Sequence, residues 1–463
     1  MKFELNPGIF RQYDIRGIAE TDLNDAFAER LGQAYGTVIR RAGGQKIVIG
    51  HDCRQSGIRI AAAFQRGVNR SGIHVIHIGM APTPLVYFSL HQLPVAGGVA
   101  ITGSHNPPAW NGFKLCLGHQ SMFGEQIQDL RRLMETGDFE EGSGQVETLD
   151  MGPKYQTWMV ENLTPLSRPM RVVVDAGNGA GGILAGTLYR ALGAEVIELF
   201  CEPDGRFPNH HPDPTVESNL AHLKAAVAEH KAELGIAFDG DADRIGAIDH
   251  QGRVVWGDQL LLFFGRAILA QQPGARFVGE VKCSRVLYDE LRKAGGIVEM
   301  WKVGHSMIKA RMKETGAVLA GEMSGHLFFA DRYFGYDDAV YAGARLMELV
   351  VQEKMSLADM LDGLPETYTT PELRVACSDQ HKFAVIERAV SWFKARYSVI
   401  DVDGARIDFP NGWGLIRASN TQPVLVMRFE ADQPELVDEY RSEVEAWLKV
   451  YAPEVDLEAD PNH

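Results

Sequence analysis

Three stretches of the chain, Lys46 to Gly50, Arg171 to Asp175 and Arg276 to Glu280, each read as a short apolar strand followed by helical spacing and then a second strand. That second strand ends each time in a polar loop, at Ser104, at Asp239 and at Glu322. Strands that alternate with helices fold as α/β units, so the pattern predicts three domains of related topology, each turning its loop toward one cleft. A length of 463 residues exceeds one ordinary core and fits three or four domains. Beyond about Leu364 the pattern changes: strands flank a loop at Arg417 and an amphipathic helix runs near Pro434 to Val450, which predicts a smaller α+β domain covering the cleft. The predicted bounds are 1–149, 150–252, 253–364 and 365–463. Gly142 to Gly144 reads as a linker near the first bound and Leu364 to Pro371 as the last one, and a fourth domain on a short linker predicts hinge closure.

Each loop carries its own chemistry. Gly97 to Ile101 is too short for a helix, so Ser104 stands at the carboxyl end of a buried strand, where open α/β sheets build their sites. Its turn, Thr102 to Pro107, presents a hydroxyl with His105 adjacent and Lys114 nearby, the layout of a nucleophile. After Leu234 to Phe238, acids recur at every second position as Asp239, Asp241 and Asp243. Carboxylates that close repel one another unless a cation gathers them, and oxygen-only donors favour a hard ion, Mg²⁺. An EF-hand is excluded, because Arg244 and His250 occupy the positions where that loop needs Gly and Glu, and a strand precedes it. In Gly321 to His326, Glu322, Ser324 and His326 together suit a polyol. In Arg417 to Pro423 a guanidinium, two hydroxyls, an amide and turn N–H groups converge, which suits a phosphate.

Nucleophile, cation, polyol and phosphate loops in this order, together with Phe10 to Gly17, Gly205 to Pro214 and Lys302 to Ser306, resemble the α-D-phosphohexomutase family over essentially the whole chain. Within it the closest resemblance is to the bacterial phosphomannomutase/phosphoglucomutase group. The resemblance implies three mixed-sheet α/β domains and a smaller C-terminal α+β domain of TATA-box-binding-protein-like type around one central cleft. It implies that Ser104 is carried as phosphoserine and shares one Mg²⁺ with Asp239, Asp241 and Asp243. The implied enzyme is an isomerase that moves phosphate between O1 and O6 of mannose and glucose phosphates. Its 1,6-bisphosphate intermediate turns end over end in the site, and glucose 1,6-bisphosphate acts as activator. Matching positions put Tyr13, Arg16, Lys282, His305, Glu322, Met323, Ser324, Gly325, His326 and the run Arg417, Ala418, Ser419, Asn420, Thr421 on the substrate. Glu322 and Ser324 would hold the O3 and O4 hydroxyls in both orientations. Arg16, Lys114, Arg244, His305 and His326 would lie near the transfer, with His326 and Lys114 preferred for the proton transfer, in which either can be the base.

Two departures from the family pattern matter. Gln259 stands where some relatives carry Arg, which removes a cationic contact, and Ala242 stands where many have Gly, a change that a negative φ would tolerate. Phosphoglucosamine mutases commonly have Gln at the position of Met323, so the mannose/glucose type is expected. A metal-dependent sugar phosphatase and a non-catalytic sugar-phosphate binder are the other classes, and the second has no need of Ser104 beside three aspartates.

The net charge of −15 argues against a general binder of nucleic acid or anionic membranes, so cations for phosphate must be local. Five scattered cysteines with no C-x-x-C pair read as reduced thiols. The opening residues lack an apolar signal core, and the longest apolar run, Leu260 to Ala270, is broken by Arg266. A cytoplasmic monomer acting on hexose phosphates, in the supply of polysaccharide precursors, is the expectation.

Overall fold

The computed structural model describes residues 5–420 and 422–457. Three sheets share one plan. In the first, Lys46–His51 lies between His74–Met80 and Gly97–Ile101, parallel to both, and Trp110–Leu117 returns antiparallel to Gly97–Ile101. In the second, Met170–Asp175 lies between Ala194–Leu199 and Leu234–Phe238, and Ile245–Asp249 returns antiparallel. In the third, Arg276–Glu280 lies between Ile297–Trp301 and Leu319–Gly321, and Leu327–Phe329 returns. The serine, aspartate and sugar loops each sit where the third strand reverses into the fourth. Their parent strands Gly97–Ile101, Leu234–Phe238 and Leu319–Gly321 are buried throughout, as strands covered on both faces must be.

The fourth sheet is antiparallel, in the order Tyr368–Thr369, Val424–Ala431, Gly412–Ala418, Ala405–Phe409, Ser398–Ile400, with Leu373–Ala376 also paired to Val424–Ala431. Helices Lys382–Lys394 and Pro434–Tyr451 pack against it.

One apolar core runs through the first three units, joining Phe88, Tyr155, Ile236, Phe264 and Tyr341, whereas Phe393, Leu425, Phe429 and Trp447 build a separate core in the fourth. Third and fourth units meet through buried arginines. Arg406 donates to the carbonyls of Val281 and Cys283, and Arg428 to that of Lys282 at 2.6 Å. Trp413 supports this pair, with the Arg406 guanidinium 3.7 Å above its ring. The helix Arg285–Lys293 that follows is capped by the Ser284 hydroxyl, carries Arg292 and Lys293 in its last turn, and buries Leu287, Tyr288 and Leu291 on one face.

Gly142 to Gly144 is not a slack linker. Their N–H groups bond the carbonyls of Arg70 and Asn69 at 2.7 and 2.8 Å, and a Cβ on Gly144 would lie 2.0 Å from the Ile73 carbonyl oxygen. The stretch leads into Val146–Thr148, an edge strand parallel to His74–Met80. All five cysteines are free thiols.

Candidate active site

The serine loop is held from beneath by two charged residues that the sequence reading missed. Asp52, just past Lys46–His51, accepts from Thr102 Oγ1 at 2.7 Å, from Gly103 N at 3.2 Å and from Arg54 Nε at 3.1 Å. Arg54 then donates to the carbonyls of Ser104 (2.7 Å), Asn106 (2.5 Å), Pro107 (2.6 Å) and Trp110 (3.0 Å). Both side chains are fully buried. Ser104 adopts a left-handed φ of 50°, with its N–H on Thr102 Oγ1 at 2.8 Å. Such strain persists only where surroundings over-determine it, and the Asp52–Arg54 clamp does so. Gly103 is required because a Cβ there would lie 2.6 Å from the Arg54 guanidinium carbon.

Ser104 Oγ donates to Asp239 Oδ2 at 2.7 Å, which joins the first loop to the second. A Cβ on Gly240 would meet the Ser104 carbonyl oxygen at 2.5 Å, so the loops touch backbone to backbone. Asp239, Asp241 and Asp243 are wholly buried, with one oxygen from each lying within 4.8 Å of the others. Asp239 Oδ1 accepts from the N–H groups of Asp243 and Arg244, at 3.1 and 3.2 Å. Lys114 bonds Asp241 at 2.7 Å and also Asp243, and Thr83 donates to Asp241.

Burial and the neighbouring carboxylates push Asp239 and Asp243 up. Burial acts the same way on Asp241, but the Lys114 ammonium outweighs it and holds that carboxylate below its ordinary value. The three acids in turn keep Lys114 protonated against its own burial. Oδ1 of Asp241 and of Asp243 are buried acceptors with no protein donor. Orphaned oxygens on an all-carboxylate set fit a divalent cation. Ala242, between two of these acids, has φ of 56°, not the negative value that would ease a methyl, so the turn carries left-handed strain. Gln259 is used locally, its Oε1 accepting from Trp256 N at 2.9 Å at a helix start.

In the third loop Glu322 Oε1 accepts from Gly304 N at 2.7 Å and Ser324 Oγ donates to Glu322 Oε2 at 3.1 Å. Met323 N donates to Glu280 Oε1 at 3.0 Å, and the Met323 thioether touches Arg428. Burial pushes the Glu280 carboxyl up to about 7. Gly325, at φ of 93°, lies so close to the second unit that a Cβ would stand 2.2 Å from the Ile245 carbonyl oxygen. His326 Nε2 accepts from Arg244 Nε at 3.0 Å. His305 opens the helix His305–Thr315, with its ring 5.3 Å from Tyr13 and 5.6 Å from His326. Its Nε2 is buried with no protein partner, and burial, aided by Lys309, lowers its proton affinity well below the ordinary histidine range.

Cations gather around the remaining positions. Arg16 is paired with Asp14 at 2.6 Å and donates to Asn106 Oδ1 at 3.0 Å, beside the serine loop. Arg417 is buried against Asp403, its Nε 3.1 Å from Oδ2. Lys282 stands 3.2 Å from Glu372 and 3.6 Å from Glu280, and these acids keep it protonated against its burial. Burial and the Asp14 and Glu322 carboxylates push the Tyr13 hydroxyl up, against Arg16 and Arg417, and its ring lies 5.3 Å from that of His305. Ala418 ends its strand opposite Leu425, and Ser419 N bonds Val424 O at 3.0 Å. Lys382, which the sequence reading also missed, supports this turn from behind by donating to Ser419 O at 2.6 Å and Gln422 O at 3.1 Å. Asn420 follows in the turn, and Thr421 lies outside the described residues.

Four sequence families match the chain in order: phosphoglucomutase/phosphomannomutase alpha/beta/alpha domain I over 7–141, domain II over 155–252, domain III over 256–368 and the C-terminal domain over 372–446. A phosphomannomutase/phosphoglucomutase of Pseudomonas aeruginosa is 43% identical over 448 residues, covering 96% of each chain. A phosphoglucomutase of Neisseria meningitidis is 44% identical over 446 residues, covering 95% of this chain and 96% of its own. The crystal structure of a Burkholderia thailandensis phosphoglucomutase/phosphomannomutase family protein superposes with a TM-score of 0.90 at 39% identity, over 98% of this chain and 99% of that one. The chain therefore belongs to the phosphoglucomutase/phosphomannomutase family of α-D-phosphohexomutases, and it is an isomerase of the phosphomutase kind.

Proposed function

We propose that the chain moves phosphate reversibly between O1 and O6 of mannose and glucose phosphates, with Ser104 carried as phosphoserine. One observation carries the reading: Ser104 Oγ lies 2.7 Å from Asp239 Oδ2, while buried oxygens of Asp241 and Asp243 are left without protein donors. Mg²⁺ suits that donor set, held by the three aspartates and an oxygen of the Ser104 phosphate, and when bound it offsets charge on the transferred group.

In the first half-reaction a free sugar hydroxyl oxygen bonds phosphorus as the bond from phosphorus to Ser104 Oγ breaks, and the hydroxyl proton passes to a base. After the 1,6-bisphosphate turns end over end, Ser104 Oγ takes the other phosphate and the freed sugar oxygen regains a proton. Glucose 1,6-bisphosphate would prime a Ser104 that has lost its phosphate. Of the candidate bases, Lys114 is held protonated by its aspartates and the Nε2 lone pair of His326 is occupied by Arg244. His305 is favoured on geometry, because its Nε2 is buried without a protein partner and is free to accept from a sugar hydroxyl. Arg16 and Arg244 would neutralise the transferring group, and Glu322 and Ser324 would hold the sugar hydroxyls. Lys282, Arg417, Ser419 and Asn420 would hold the distal phosphate, with Tyr13 closing the space beside His305.

The same reading makes the chain a cytoplasmic monomer acting on hexose phosphates, whose charge is met by local cations such as Arg16, Lys282 and Arg417 against a net charge of −15. No described helix is long and apolar enough to cross a membrane. The test is a coupled assay with Mg²⁺ and trace glucose 1,6-bisphosphate, on mannose, glucose and glucosamine 1-phosphates, with inorganic phosphate followed alongside. Formation of 6-phosphates from the first two, lost in Ser104→Ala, is the expected result. Turnover confined to the glucosamine ester would make the chain a phosphoglucosamine mutase, and free phosphate without isomerisation would make it a phosphatase.

A further inference from the structure

We propose that Glu280 is a positioning residue of the distal-phosphate site, which anchors the backbone of the sugar loop and takes up a proton when a phosphate claims Lys282. This deepens the function proposed above and rests on Lys282 and Arg417 meeting the distal phosphate. Glu280 ends the inner strand Arg276–Glu280 of the third sheet and is wholly buried. Its Oε1 accepts from Met323 N at 3.0 Å, which ties the sugar loop to that strand, and lies 3.6 Å from Lys282 Nζ. Among the described residues nothing donates to Oε2, which is buried as well. One carboxyl thus serves the loop with one oxygen, faces a phosphate-site cation, and holds its other oxygen in reserve.

The charges around Glu280 decide what a bound phosphate does to it. Burial opposes the anion and pushes the carboxyl up to about 7, with Glu322 adding to the rise from the sugar loop. Lys282 and, from the fourth unit, Arg417 favour the anion, and both are cations that the phosphate would take. Burial keeps Cys283 a thiol and Tyr288 a phenol, so neither brings charge, and the Tyr288 hydroxyl serves the Glu280 carbonyl at 2.7 Å. Arg428 is engaged by the Lys282 carbonyl at 2.6 Å. Glu372 also claims Lys282, at 3.2 Å, yet it keeps Arg374 Nε and Nη2 at 3.0 and 2.8 Å when the lysine turns to a phosphate. Glu280 instead leans on the two cations that the phosphate takes. A dianion beside a buried carboxylate is unfavourable, and a proton from solvent relieves it by forming an O–H bond on Oε2. Oε1 stays on Met323 N, so the loop keeps its anchor while the site fills. A sugar phosphate, with a second pKa of about 6, is already a dianion near pH 7, so binding must weaken as pH rises through about 7.

The test uses the full-length chain carrying Ser104→Ala, so that no phosphate is transferred, with glucose 6-phosphate and mannose 6-phosphate as calorimetric ligands. In buffers of different ionisation enthalpy at about pH 8, the heats should show uptake of about one proton per ester bound. Between about pH 6.5 and about pH 8 the Kd should rise about tenfold. Glu280→Gln, added to the same chain, keeps an oxygen for Met323 N and sets its amide in the place of a protonated Oε2. Its proton uptake should vanish, and its Kd should change less than about threefold over the same range. In the chain with Ser104 intact, Glu280→Ala loses the anchor on Met323 N, so its KM should exceed that of Glu280→Gln about tenfold at both pH values. Binding without proton uptake, or equal uptake in Glu280→Gln, would overturn the proposal, as would equal KM values for the alanine and glutamine variants. Either of these outcomes leaves the proposed function standing, whereas failure of both esters to bind would overturn that function and this inference together.

Discussion

The guanidinium of Arg54 donates to the carbonyl oxygen of Ser104 at 2.7 Å, from a side chain with no exposed surface. The backbone of the proposed phosphoserine is thus anchored by a cation buried beneath its loop. Arg54→Met strands the Asp52 carboxylate without its partner and should cost about 3–5 kcal/mol, read as a lowered midpoint in urea unfolding. Arg54→Lys keeps the charge but lacks the fork that reaches four carbonyls, so it should fold and still lose kcat. A folded lysine variant with wild-type turnover would show that the clamp has no bearing on catalysis.

Removal of divalent cations should stop turnover, and Mg²⁺ should restore it. Since the ion would bind the native triad only, the native state should gain about 2.7 kcal/mol at about 100 times Kd, read as a melting temperature that rises with Mg²⁺ concentration. Asp241→Asn should abolish both the activity and the thermal shift. Calorimetry of the two proteins with and without Mg²⁺ decides the matter, and an unchanged wild-type melting point would argue against a site at the triad.

Gly325→Ala should weaken both stability and substrate use. The added Cβ would stand 2.2 Å from the Ile245 carbonyl oxygen at a φ of 93°, so the sugar loop must back away from the second unit. A loss of about 1–3 kcal/mol and a raised KM are expected from denaturation and steady-state kinetics.

Asp338 should give stability a pH slope. Burial raises its carboxyl to about 6, even though Tyr155, Tyr333 and the Tyr341 N–H all donate to it. The native chain then keeps a proton that the unfolded chain has released, so this group's contribution is complete below about pH 4 and is lost as pH rises through about 6. Asp338→Asn keeps an oxygen to cap Tyr341 N but sets an amide donor against the Tyr155 and Tyr333 hydroxyls, so it should be less stable throughout, yet its melting temperature should fall less between pH 4 and 6 than that of the wild type. Equal slopes in scanning calorimetry would contradict the assignment.

Much of this architecture was legible because the strands that carry the loops are fully buried. Gly97–Ile101 and Leu234–Phe238 have no polar position to blur their edges, and the sequence reading and the structure agree on both. The third-unit strand Leu319–Gly321 starts later than the apolar run Ala317 to Ala320 suggests, because Ala317 N still bonds back to Met312 O at the end of the preceding helix. The hidden supports were illegible for the opposite reason. Asp52, Arg54 and Glu280 are charged, and charged residues ordinarily read as surface; their partners lie far along the chain, where no local spacing can point. The left-handed φ of Ala242 was equally out of reach, since alanine gives no sign of a conformation that glycine would announce.

Because the same strand reversal carries a hydroxyl in one sheet, three carboxylates in the next and a carboxylate, hydroxyl and imidazole in the third, the scaffold is separable from what it presents. Each corner can change what it presents while the buried strands beneath it keep their packing. For an engineer, a library between Gly321 and Gly325 that spares His326 would probe sugar choice under the proposed function while the loops of Ser104 and Asp239 stay untouched.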